Sequence, residues 1–180
     1  IAVVISDALR YEIGEELTRV IQEEDRYTAE IEPMLTVLPS YTQHGMAALL
    51  PHTELTILKD GTAQVNGQSA TGTENRGKIL RNICKDGAAA ITSSDLLNMS
   101  RDESREFAKA NQVIYVYHNQ IDAIGDDKKT EERVFEASQS AMSEIVDILK
   151  KLTGANLTNI IITADHGFIY QNQILAESDF

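Results

Sequence analysis

Residues Lys129 to Leu152 place Val134, Ala137, Ala141, Ile145, Ile148 and Leu152 on one face of a long helix, and that helix stands between two strand signals. The first signal is Gln112 to Tyr117. The second is the β-branched run Ile160-Ile161-Ile162-Thr163, which follows the helix-stopping residues Gly154 and Asn156. Antiparallel strands can be joined by a tight turn, whereas strands joined through a helix of this length run parallel, with a right-handed crossover. The expected fold class is therefore α/β, a mainly parallel sheet flanked by helices.

The rest of the chain extends this alternation. Ile1 to Ser6 read as a buried strand ending in Asp7, and Tyr11 to Glu23 carry Ile13, Leu17, Val20 and Ile21 at helical spacing. A second strand is expected over Ile31 to Leu38, stopped by Pro39-Ser40. Thr42 or Gln43 then opens a short helix carrying Met46, Leu49 and Leu50 as far as Pro51. Leu55 to Leu58 and Ala63 to Val65 flank Lys59-Asp60-Gly61 as a hairpin. The glycine-rich piece Asn66 to Thr73 lacks the lysine of a phosphate-binding loop and is expected to be a flexible surface loop, with Thr73 capping a helix that runs to Cys84. Gly87 to Ser93 read as a short strand. Ser94-Asp95 signal a cap, and Ser100 to Ala110 an exposed helix opened by a capping box between Ser100 and Glu103.

Composition narrows the function. A length of 180 residues, 42% hydrophobic, fits one domain with a real core. The net charge of −12 excludes a global basic surface for holding nucleic acid by counterion release. Cys84 is the single cysteine, so the chain has no internal disulfide or thiolate zinc cluster, which fits a reducing compartment and a cytoplasmic setting. No apolar stretch approaches the roughly 20 residues of a membrane span. The chain opens inside a strand and closes soon after Asp165-His166, and the expectation is a fragment of a longer protein, truncated at both ends.

The polar residues gather where the strands end. Asp7, the Thr42 region, Asp122 and Asp165-His166 all follow strand signals, and the carboxyl edge of an open parallel sheet is where such folds build sites. A hard carboxylate beside an imidazole suits zinc, manganese or iron. Asp7, Asp165 and His166 can share one cation. A cation at the Thr42 hydroxyl would make it a nucleophile toward phosphorus, and Asp122 could hold a second cation. The helix start at Thr42 favours a phosphate anion. The chemistry these residues suggest is hydrolysis of a phosphate ester at one or two divalent metals.

Four segments carry a resemblance: Val4-Ile5-Ser6-Asp7-Ala8-Leu9-Arg10-Tyr11-Glu12, Leu38-Pro39-Ser40-Tyr41-Thr42-Gln43, Tyr115-Val116-Tyr117-His118-Asn119-Gln120-Ile121-Asp122 and Ile162-Thr163-Ala164-Asp165-His166-Gly167. In this order they resemble the PglZ domain of bacterial BREX phage-exclusion systems, of the alkaline phosphatase superfamily. The resemblance implies an alkaline-phosphatase-like core with Asp7, Thr42, Asp165 and His166 at one metal and Thr42 as nucleophile. Zinc is the first expectation for the cation and manganese the second. The second site departs from the superfamily pattern: Asp122 and Gly125 match, but Asp126 stands where a histidine is expected, and the last histidine would lie beyond Phe180. His118 or Asp126 could substitute. The implied partners are a phosphate-ester substrate, nucleic acid in the full protein, and other defence-system proteins, with no membrane.

Other polar residues have ordinary readings beside functional ones. Arg10 could contact a substrate phosphate or simply pair with Glu12. His44 and His52 suit a core hydrogen bond or solvent better than substrate. The glutamates from Glu12 to Glu24 read as a solvated helix face. Two further functions stay open, a metal-binding scaffold or regulatory module without turnover, and a phosphomutase or sulfatase relative.

Overall fold

The computed structural model of the protein describes residues 1–84, 87–120 and 131–167. In chain order, β1 (Ala2–Ser6) leads into α1 (Tyr11–Glu23) and α2 (Thr42–Ala48). A small antiparallel sheet of β2 (Leu55–Ile57), β3 (Ala63–Val65) and β4 (Gln68–Ser69) follows. Then come α3 (Gly72–Ile83), β5 (Ala88–Thr92), α4 (Ser93–Asn98), α5 (Arg101–Ala110), β6 (Val113–His118), α6 (Glu131–Gly154) and β7 (Ile160–Thr163). The main sheet has the order β5-β6-β1-β7, and every neighbouring pair is parallel. It is the α/β sheet that the crossover helix demands.

Register decides what each face buries. Val4 lies opposite both Val116 and Ile162, and with Ala2, Ile91 and Ile114 it packs beneath Ile148 and Leu152 of α6 and Leu96 of α4. Next to this, Leu17 and Ile21 of α1 meet Ala141, Ile145 and Leu149 of α6. Alternate residues point the other way. On that side Ile5 and Tyr117 pack on Met46 of α2, while α3 and the small sheet bury Ile79, Leu80, Ala63 and Val65. The apolar stripe read along α6 is buried at Ala137, Ala141, Ile145, Ile148 and Leu152. Among the described residues, no helix is long and apolar enough to cross a membrane.

Three expectations need correction. Ile31 to Leu38 pair with no strand: Pro33 lacks the N–H that a ladder needs, and Met34, Leu35 and Leu38 stand exposed. The segment runs as a strap past α1 and the end of β7, with Ile31 against Gly14 and Thr36 against Asp165. Asn66 to Thr73 are ordered rather than a flexible loop. Asn66 and Gly67 both take positive φ (49° and 76°) and turn β3 into β4, after which Ala70 is buried. The N-cap of α3 is Thr71, not Thr73, because the helix starts at Gly72. The capping box of Ser100 with Glu103 forms as expected.

Candidate metal centre

Because β1 and β7 are neighbours, their ends release Asp7 and Asp165-His166 side by side. Immediately after Asp7, Ala8 adopts a left-handed conformation (φ 60°), and its N–H turns back to donate to Asp165 Oδ1 at 3.2 Å. A non-glycine residue in that region costs about 1–2 kcal/mol, which a hydrogen bond to a carboxylate partly offsets. Helix α2 reaches the same corner through Gly45. A Cβ there would lie 2.3 Å from Asp165 O, so the approach needs glycine. The strap adds Thr36, whose Oγ1 donates to Asp165 O at 2.7 Å.

This docking delivers Thr42, the first residue of α2, to the strand ends. Its Oγ1 lies 3.1 Å from His166 Nε2. The same nitrogen lies 3.4 Å from Asp7 Oδ1 and 3.5 Å from Asp165 Oδ2. His166 Nδ1 lies 2.9 Å from Gly167 O, a contact that assigns the proton to Nδ1 and turns the Nε2 lone pair toward the cluster.

One donor atom each from Asp7, Asp165 and His166 lies within 4.8 Å of the others. Both carboxylates are buried, at 3% and 2% exposure. Burial pushes the Asp165 carboxyl above the ordinary carboxylate range, with His166 pulling it partly back. Asp165 Oδ2 is sealed from solvent and accepts no hydrogen bond among the described residues. Two desolvated carboxylates and an imidazole aimed at one point are a good fit to a divalent cation, which replaces the hydration that burial removes. Oxygen, oxygen and nitrogen donors suit zinc or manganese.

The family model described as the BREX system PglZ alkaline phosphatase-like domain matches residues 1–180. The chain belongs to the PglZ family. This PglZ domain is 45% identical over 180 residues to the alkaline phosphatase-like protein BrxZ of Escherichia coli O9:H4 (strain HS), covering 98% of the domain and 20% of that protein. It is 43% identical over 178 residues to the alkaline phosphatase-like protein PglZ of Bacillus cereus (strain H3081.97), covering 98% of the domain and 21% of that protein. The domain thus spans about a fifth of the length of these relatives. No solved structure matches it.

Other residues of the PglZ domain named from sequence are not among the three converging donors of this corner. His118, at the end of β6, is 1% exposed; its Nδ1 is 2.9 Å from Ser6 Oγ, and its Nε2 is 3.8 Å from Glu144 Oε1. Glu144 also accepts from Ser93 Oγ at 2.8 Å. Burial pushes the His118 pKa down, and the Glu144 charge pulls it partly back. Arg10 pairs with Glu12 at 2.8 Å. His44 is buried with Nδ1 3.1 Å from Pro39 O, a core hydrogen bond, and exposed His52 has Nδ1 2.6 Å from Leu50 O. Asp122 and Asp126 lie outside the described residues.

Sequence reading passed over Gly45, Thr36 and Glu144. A glycine inside the short helix after Thr42 was a legible sign of close backbone approach. Glu144 had no comparable signal, since one glutamate on a long helix looks like solvated surface.

Proposed function

We propose that this PglZ domain is a metal-dependent phosphoric ester hydrolase, a phosphatase or phosphodiesterase, with Thr42 as its nucleophile. Asp7, Thr42, Asp165 and His166 would hold one divalent cation, zinc by first preference and manganese by second. The observation that carries this is the position of Thr42 Oγ1, 3.1 Å from the nitrogen on which both buried carboxylates converge. A purely structural metal site needs no hydroxyl there. When bound, the cation supplies a Lewis acid that lowers the pKa of the hydroxyl and offsets charge on the phosphate.

The residues supply the rest. Docking of α2 through Gly45 holds Oγ1 in place, so the nucleophile is positioned before substrate arrives. Oγ1 gives up its proton to solvent and attacks phosphorus, the phosphorus–ester oxygen bond breaks, and the alcohol leaves with a solvent proton. Water then hydrolyses the phosphothreonine and restores the hydroxyl, leaving inorganic phosphate or a monoester. In the longer protein the domain would work in the cytoplasm with other BREX components. Nucleic acid is a substrate class to test, with partners providing the basic surface that a domain of net charge −12 lacks.

The test is hydrolysis of an aryl phosphate monoester and an aryl phosphodiester by the full-length protein with zinc or manganese. Thr42→Ala is expected to lower turnover by at least about a thousandfold, in the range seen when a nucleophile is removed, while metal affinity stays within a few-fold. Near-normal hydrolysis by the variant removes the nucleophile assignment. Bound metal without turnover in wild type favours a scaffold role.

A further inference from the structure

Beside Thr42 and Asp7 lies a cleft of about 780 Å³, also lined by Arg76 of α3, Tyr117 and His118 of β6, and Ser93 of α4. Of the described residues that line it, Arg76 is the only arginine or lysine. Its side chain is unusual. Arginine keeps its charge at any physiological pH and is seldom buried without a partner, yet Arg76 is 7% exposed.

Two contacts fix the guanidinium. Nε donates to Ala70 O at 2.9 Å, and the guanidinium carbon lies 4.6 Å over the centroid of the Tyr117 ring. No carboxylate among the described residues forms an ion pair with it. Arg76 is itself part of the cleft wall, with Tyr117, Thr42 and Asp7. A cation drawn out of water, held in one plane and given no carboxylate by the described residues, has a strong demand for an anion. The nucleophilic hydroxyl is on the wall of the same cleft.

We propose that Arg76 binds the non-bridging oxygens of the phosphate group presented to Thr42. This rests on the hydrolase reading of the metal corner. Arg76 is then a substrate-binding residue: its planar fork matches a tetrahedral oxyanion, and its stacking on Tyr117 means that little freedom is lost on binding. Monoesters and diesters both present non-bridging oxygens, so the contact is expected with either.

The test uses the full-length zinc-loaded protein and inorganic phosphate as the probe. Calorimetric phosphate affinity is expected to fall about tenfold to a hundredfold in Arg76→Gln, as for loss of a charge-assisted hydrogen bond. Arg76→Lys should lose less, and zinc affinity should stay within twofold in both. A wild-type measurement does not depend on how the variants fold: phosphate should slow phenylglyoxal labelling of Arg76, read by peptide mass spectrometry, and leave exposed Arg19 and Arg101 unaffected. Equal phosphate affinity in wild type and Arg76→Gln, no phosphate binding by wild type, or labelling insensitive to phosphate each overturns the proposal. Arg76-dependent phosphate binding without any hydrolysis keeps the anion site and removes the hydrolase reading. Thr42-dependent hydrolysis with Arg76-independent binding does the reverse.

Discussion

At the carboxyl edge of the sheet, β1 ends on two polar clusters. Ser6 faces His118, which is backed by Glu144 and Ser93, while Asp7 faces Asp165-His166. Each cluster keeps a buried atom without a hydrogen bond among the described residues, His118 Nε2 in one and Asp165 Oδ2 in the other, and the two differ in their balance of charge. Around His118 one imidazole stands beside one carboxylate: Nδ1 is 2.9 Å from Ser6 Oγ, while Nε2 is 3.8 Å from Glu144 Oε1, too far for a hydrogen bond. At the Asp7 corner two carboxylates share one imidazole, and Asp165 Oδ2 accepts no hydrogen bond among the described residues. Two carboxylates to one imidazole is a donor set that suits a divalent cation. Each cluster contains a histidine and a carboxylate, so the ratio of carboxylate to imidazole tells the candidate metal corner from its neighbour more sharply than residue type does.

The largest expected effect breaks the Asp7 and Asp165 cluster. Asp165→Asn should weaken zinc binding by at least about a hundredfold, some 2.7 kcal/mol, with Ala8 N–H still able to donate to the side-chain oxygen. The unliganded variant should be at least as stable as wild type, because burial disfavours the charge that the substitution removes. Calorimetric zinc titration and chelator-treated thermal melts check both halves. Unchanged zinc affinity would end the corner reading.

Next in size is the docking of α2. Gly45→Ala sets a Cβ against the Asp165 backbone at 2.3 Å and should destabilise the protein by about 3 kcal/mol, the upper part of the overpacking range. Zinc affinity should fall with it, since the same contact holds Asp165. A denaturation midpoint within error of wild type would show that the helix can shift without cost.

The smallest effect belongs to the His118 cluster. Burial holds the pKa of His118 below its ordinary value of 6.5, so the unfolded chain takes up the proton before the folded one does. Stability from this group is therefore complete above about 6.5 and is lost as pH falls through the lowered folded value, by at most about 1.4 kcal/mol per pH unit. The opposing charge of Glu144 makes the slope shallower. Thermal melts of chelator-treated protein between pH 5 and 8 should show this loss, and His118→Asn should flatten it. The same slope in both proteins would place the acid sensitivity elsewhere.

Much of this architecture was legible in the chain because its signals are local. The stripe on α6, the apolar runs of β1 and β7 and the capping box at Ser100 are each set by neighbours in sequence. Ile31 to Leu38 misled because its apolar content resembles a strand while Pro33 denies it a ladder. Asn66-Gly67 was read as a loose loop although that pair favours the tight turn it makes.

The sequence by itself determined that Asp7 and Asp165-His166 end strands and that a short helix opens at Thr42 or Gln43, because periodicity and stop signals act over a few residues. Only the tertiary structure decided which of these polar groups meet. Strand order placed β1 between β6 and β7, Gly45 allowed α2 to close on Asp165, and the packing of α3 put Arg76 over Tyr117. Each is a contact between residues far apart in the chain, fixed by the shape of packed surfaces, and no local pattern encodes it.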